Sequence, residues 1–201
     1  FTEDLIYQFP HISSDPNDYF IFIYNEQKLS NLLHDLHYLA HLWQFEEGRL
    51  LLHASAVIHQ GGIYLFCGRS GVGKSTIAVL SKESGDVVLD EDIVAIYQTA
   101  SGGYSANAWG YNTTLSDLPI RAFFFLYQDN EDRVVPLAQM KAAVHVWDQS
   151  FIVYNTMLPI EKRSQLFSRA AEFARQIPGY ELYFRKSPDF WKLIEAEIKV
   201  G

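Results

Sequence analysis

The chain has 201 residues, 48% of them hydrophobic and 15% aromatic, and a formal net charge of −8. That length suits one domain with a sizeable core, or a domain plus a small extension, and the composition excludes a disordered chain. The acidic balance argues against a large nucleic-acid interface, and no apolar run approaches the ~20 residues needed to span a bilayer. The opening Phe1-Thr2-Glu3-Asp4 has no basic stretch of the kind that begins a signal peptide, and a start without Met reads as a trimmed one. The single cysteine, Cys67, cannot form an internal disulfide; it fits a reducing, cytoplasmic setting as a small buried strand residue.

In chain order, the first zone opens with short aromatic-rich strands, Leu5 to Phe9 and Tyr19 to Tyr24, around the turn-forming Ser13-Ser14-Asp15-Pro16-Asn17-Asp18. A helix is expected from Lys28 to Phe45, because Leu29, Leu32, Leu33, Leu36, Leu39, Ala40 and Trp43 recur at helical spacing. His34, His37 and His41 line one face of it. With no carboxylate or cysteine in phase, they read as a solvated or interface stripe and not as a metal site. Residues 1–48 are expected to form a strand-and-helix extension packed on a core of residues 49–201; one continuous domain, 1–201, is the alternative.

The second zone is rich in strands. Leu50 to His59 and Ile63 to Cys67 flank Gln60-Gly61-Gly62 and predict an antiparallel hairpin. The hairpin runs directly into Gly68-Arg69-Ser70-Gly71-Val72-Gly73-Lys74-Ser75, a complete G-x-x-x-x-G-K-S phosphate-binding loop, and a helical pattern, Ser75 to Ser81, leaves it. The glycines let backbone N–H groups turn inward around phosphate oxygens, and the helix N-terminus adds positive partial charge. Gly68, Ser70, Gly71, Val72, Gly73, Lys74, Ser75 and Thr76 are therefore the expected nucleotide contacts. Lys74 is placed to reach the terminal phosphates and the Ser75 hydroxyl to ligate Mg²⁺, which makes ATP (or GTP) with Mg²⁺ the expected cofactor set.

Strands are also expected at Val87 to Leu89, Ile93 to Gln98, Tyr104 to Ala108 and Ile120 to Tyr127. The third zone is mainly helical: Leu137 to Trp147, Pro159 to Gln176 and Pro188 to Lys199, with one strand, Tyr180 to Phe184. An apolar strand that ends in acids, Val87 to Asp92, is how a loop of this type is given its metal and its base. Asp92 is the first candidate for Mg²⁺, with Asp90 on the same strand face, and alternation would send Glu91 the other way. Ending the strand at Asp90 would let the turn present any two of the three. His53 starts the hairpin's first strand beside the loop, where it can donate to a phosphate oxygen or bond the acids. Arg121 and Arg163 could neutralise transition-state charge, although surface arginines are usually just that.

A hairpin that delivers the loop, with His53 fifteen residues before Gly68 and acids seventeen and eighteen residues after Lys74, resembles the HPr kinase/phosphorylase family and its distant relative phosphoenolpyruvate carboxykinase. His53-Ala54-Ser55-Ala56-Val57, Leu118 to Leu126 and Tyr180 to Phe184 look more like small HPr-kinase-related proteins, some of them from lasso-peptide gene clusters. Trp109 also resembles a tryptophan of those small kinases. The resemblance implies an α/β fold, a P-loop kinase core of the HPr kinase/phosphoenolpyruvate carboxykinase type with a mixed sheet and flanking helices. It also implies catalytic roles for His53, Lys74, Glu91 and Asp92, with Glu91 in the position of the base. The activity it implies is γ-phosphoryl transfer to a serine-type hydroxyl of a peptide or protein, with neither nucleic acid nor membrane as partner and a homo-oligomer left open. The family's paired aspartates are here Glu91-Asp92, and its downstream glycine-rich segment is missing, so reverse phosphorylase activity is not implied. The alternative is a module that binds and slowly hydrolyses nucleotide as a switch.

Overall fold

A computed structural model describes residues 5–8, 20–23, 39–108, 118–154 and 158–198. The chain divides into two compact units, Phe1–Gly48 and Arg49–Gly201. In the first, β1 (Leu5–Gln8) and β2 (Phe20–Ile23) pair antiparallel, and residues 39–46 are helical (α1). The remainder of the expected first helix, with His34 and His37, lies outside the described residues, as does Trp109.

The second unit is an open, mixed sheet of eight strands with helices on both faces. Its strands are β3 (Leu50–His59), β4 (Gly62–Cys67), β5 (Val87–Asp90), β6 (Ile93–Gln98), β7 (Tyr104–Ala108), β8 (Ile120–Gln128), β9 (Arg133–Pro136) and β10 (Gly179–Phe184). The order is β7-β6-β3-β4-β8-β10-β9, with β5 also on β3. β4, β8 and β10 run parallel, and every other pairing is antiparallel. The expected hairpin is β3–β4: His59 faces Gly62, and Gln60 (φ 48°) with Gly61 (φ 74°) makes a two-residue turn of the left-handed type that matches strand twist. No residue of β4 is exposed, as expected for a strand covered on both faces.

Alternation along β8 divides the aromatic core. Ala122, Phe124 and Leu126 join Phe66, Leu182, Phe184 and the helices α2 (Lys74–Glu83) and α5 (Phe190–Glu197) in one cluster. Phe123 and Phe125 point oppositely, where Phe123 meets Phe173 of α4 (Arg163–Gln176) and Phe125 stacks on His145 of α3 (Gln139–Tyr154). Cutting Phe124, which is fully buried, back to Ala would cost about 3–5 kcal/mol.

Boundaries differ from expectation where caps decide them. The helix predicted from Pro159 begins as a 3₁₀ turn, Ile160–Lys162, and becomes α-helical at Arg163. β9 was absent from the sequence-based pattern. It is a four-residue edge strand ending in proline, which a period-two pattern cannot reveal at that length. Among the described residues no helix is long and apolar enough to cross a membrane.

Candidate functional site

The parallel strands β4, β8 and β10 end at one edge of the sheet, the position where open α/β sheets carry their sites. The glycine-rich loop follows β4 there. Gly68 (φ 148°), Gly71 (φ 78°) and Gly73 (φ 120°) adopt backbone angles closed to most side chains, and a Cβ on Gly73 would come within 2.5 Å of Phe184 Cζ. Gly73 caps α2 and the first turn holds no acid, so among the described residues the helix's leading N–H groups have no capping side chain. Lys74 is buried; its Nζ donates to the carbonyls of Gly68 (3.0 Å) and Arg69 (3.4 Å). Burial holds its pKa below the ordinary lysine value.

A cleft of about 270 Å³ opens in front of this loop. It is lined by Ser70, Gly71, Gly73, Lys74, Ser75 and Thr76 on one side and by His53, Glu91 and Asp92 on the other. Three strands bring the two sides together. β5 and β6 lie end to end along β3: Asp90 pairs with Ala56, and Ile93 with His53. Glu91 and Asp92 form the break between them, two residues facing Ser55 and Ala54, so the register carries straight across; the irregularity in the pairing lies one step earlier, between Ala56 and Val57. Ala54 N–H donates to the Asp92 carbonyl (3.0 Å) and Ser55 Oγ to the Asp90 carbonyl (3.3 Å), which pins the break to β3.

The three acids therefore have three different fates. Asp90, expected beside the metal, is not among the residues that line the cleft; its Oδ1 accepts the N–H groups of Asp92 (2.8 Å) and Ile93 (3.3 Å) and shapes the turn. Glu91 Oε1 lies 2.7 Å from Lys82 Nζ on α2. Asp92 Oδ1 lies 3.2 Å from His53 Nε2, and its side chain is 77% exposed.

Burial, reinforced by the Lys74 ammonium, lowers the His53 pKa below its ordinary value, against a weaker opposing pull from Asp92. Among the described residues the buried His53 Nδ1 has no hydrogen-bond partner. A protonated ring would strand an N–H there, so the neutral tautomer that donates from Nε2 to Asp92 is the one the site accommodates.

Arg121 packs over Gly62 at the opposite end of β4, and Arg163 lies over the Phe151 ring at 5.3 Å; neither lines the cleft. Two contributors escaped the sequence reading. Lys82 holds Glu91, and Gln128 Nε2 donates to the Gly71 carbonyl (3.2 Å) from the end of β8. The signal for Lys82 was its place near the end of α2, nine residues upstream of Glu91; the signal for Gln128 was the strand next to the loop.

Among the described residues no group of three His, Cys, Asp or Glu side chains could hold a metal alone. The Ser75 hydroxyl fits an ion such as Mg²⁺ that takes most of its ligands from phosphate and water, and Asp92, which shares the cleft, would face that ion through a coordinated water and not as a direct ligand.

A family model described as SynChlorMet cassette protein ScmC matches residues 25–199. The chain belongs to the ScmC family. This corrects the expected assignment to the HPr-kinase-related proteins: that resemblance was pieced together from separate motifs from His53 onward, whereas the ScmC match runs continuously over residues 25–199. No curated protein matches the chain.

Proposed function

We propose that this member of the ScmC family is a nucleoside-triphosphate-dependent phosphotransferase that places a γ-phosphoryl group on the hydroxyl of a peptide or protein. The observation that carries the reading is the single cleft in which the His53–Asp92 pair faces Lys74 and Ser75 of the glycine-rich loop. Phosphoryl transfer needs a phosphate cradle, a divalent ion and a carboxylate that orients the attacking hydroxyl.

The loop amides and Lys74 would hold the phosphates, and Ser75 would hold Mg²⁺, whose charge offsets that of the terminal phosphates. Asp92 is the carboxylate beside Lys74, and His53 aims it by donating to Oδ1. Its free oxygen accepts the proton of the attacking hydroxyl as that oxygen bonds to the γ-phosphorus and the bond to the β–γ bridging oxygen breaks, releasing the diphosphate. Glu91, turned onto Lys82, serves the surroundings of the reaction and not the proton transfer. The exposure of Asp92 leaves the reacting end open to a hydroxyl carried on a large molecule.

The same exposure favours a second reading, a nucleotide switch in which water attacks and no acceptor is modified. Incubation with Mg-ATP and a hydroxyl-bearing peptide library, read by mass spectrometry, separates the two. A phosphorylated peptide is the expected result; release of only the diphosphate and inorganic phosphate would favour the switch, and no nucleotide turnover or binding would overturn both.

A further inference from the structure

A second cleft, about 490 Å³, opens on the other flank of the loop. Its lining includes Thr76 of α2, Gln128, Asp129 and Asn130 at the end of β8, and Arg185 and Lys186 after β10. Thr76 also lines the first cleft, so the two meet at the first turn of α2.

We propose that this second cleft is the nucleoside subsite, with the Asn130 carboxamide reading an adenine edge. The inference rests on the phosphotransfer reading of the first cleft. His53 and Asp92 mark the reacting end of a bound triphosphate. A triphosphate is a linear chain, so its nucleoside leaves the loop at the opposite end, past Ser75 towards Thr76. The space there falls within the range of small-molecule pockets, and it lies beyond the carboxyl ends of two parallel strands.

The walls are held before any ligand arrives. Arg185 reaches Asp132 through its backbone N–H (2.6 Å), Nε (3.0 Å) and Nη2 (2.7 Å), and Asp129 pairs with Arg133 at 2.9 Å. Those pairings leave two groups for a ligand. The Asn130 side chain is exposed and makes no hydrogen bond among the described residues, and Lys186 is exposed and in no ion pair among them. A carboxamide offers a donor beside an acceptor, the complement of adenine's N6 and N7; guanine's O6 and N7 are both acceptors. Lys186 adds positive charge near the phosphate closest to the ribose. Gln128, bonded to the Gly71 carbonyl, links this wall to the phosphate loop.

The test is calorimetric titration of the full chain, and of Asn130→Ala, with Mg-ATP, Mg-GTP and magnesium tripolyphosphate. The wild type should bind ATP more tightly than either of the others. Asn130→Ala should weaken ATP by roughly tenfold while tripolyphosphate binding stays the same. Equal affinity of the wild type for ATP and tripolyphosphate, or for ATP and GTP, would overturn the subsite, as would an unchanged ATP affinity in Asn130→Ala. Failure of the wild type to bind any of the three would instead remove the phosphotransfer reading on which the subsite rests.

Discussion

Lys82 Nζ meets Glu91 Oε1 at 2.7 Å, and this contact separates two adjacent acids that the sequence treats alike. Glu91 is turned back onto α2, whereas Asp92 is left beside His53 and the loop lysine. Asp92→Asn should therefore lower turnover by about 10²–10⁴-fold with nucleotide affinity nearly unchanged. Glu91→Gln and Lys82→Ala should each cost less than about tenfold, since their pair is exposed and an exposed pair stabilises by no more than about 1 kcal/mol. Steady-state kinetics beside binding titrations would check this; a larger loss in Glu91→Gln than in Asp92→Asn would reverse the assignment.

Lys74→Ala and Gly73→Ala should both abolish triphosphate binding but differ in stability. Among the described residues the lysine side chain bonds only loop carbonyls, so its loss should leave the thermal midpoint close to wild type. A Cβ at Gly73 must sit at φ 120° and press on the Phe184 ring, which should cost on the order of 1–3 kcal/mol. Differential scanning calorimetry would separate them, and equal midpoints would show that the loop backbone is less constrained than its angles imply.

His53 gives acid sensitivity a definite sign. Its folded pKa lies below the ordinary 6.5, so the unfolded chain takes up the proton first. The stability it confers is full above 6.5 and is lost as pH falls through the lowered folded value. Cys67 acts at the alkaline end: burial raises its thiol from 9.0 to about 12, so its contribution is full below 9.0 and disappears as pH climbs towards 12. His53→Asn should flatten the acid limb of a midpoint-versus-pH curve and leave the alkaline limb alone; parallel curves would contradict the burial of that ring.

A clasp remote from the cleft should matter for stability alone. The His59 ring stacks on Trp191 at 4.0 Å, with Asp86 Oδ1 2.8 Å from Nδ1 and Glu195 Oε1 2.9 Å from Nε2, and the Trp191 indole donates to Ser81 Oγ at 3.1 Å. It ties β3, α2, the turn after α2 and α5 together. Trp191→Ala should cost about 3–5 kcal/mol and His59→Ala about 1–3 kcal/mol, read by chemical denaturation. Unchanged unfolding of His59→Ala would mean that its carboxylate partners re-pair with water without loss.

Much of this was legible because local chemistry and global architecture agreed. The strand–glycine–glycine–strand order before Gly68 specified the hairpin, the loop motif specified its own backbone, and the Ile120–Gln128 run was apolar enough to demand a covered strand. What stayed hidden was three-dimensional pairing. Nothing in Asp90-Glu91-Asp92 tells which acid caps its own turn, which meets a lysine nine residues upstream and which meets a histidine on the neighbouring strand. β9 was invisible because its reason to exist is β10, some forty residues further along the chain. The family likeness went astray because motifs matched piece by piece, even from His53 to Phe184, do not fix the family of the whole chain.

The interruption between β5 and β6 also offers a clean genetic handle. Both halves lie along one neighbour, β3, and stay in step across the gap, Asp90 opposite Ala56 and Ile93 opposite His53, so exchanging Glu91 and Asp92 together for Gln and Asn would empty the corner of charge without shifting either half. Such a neutralised protein should keep its sheet and still hold nucleotide, yet be chemically silent: a folded decoy that occupies the substrate without turning it over.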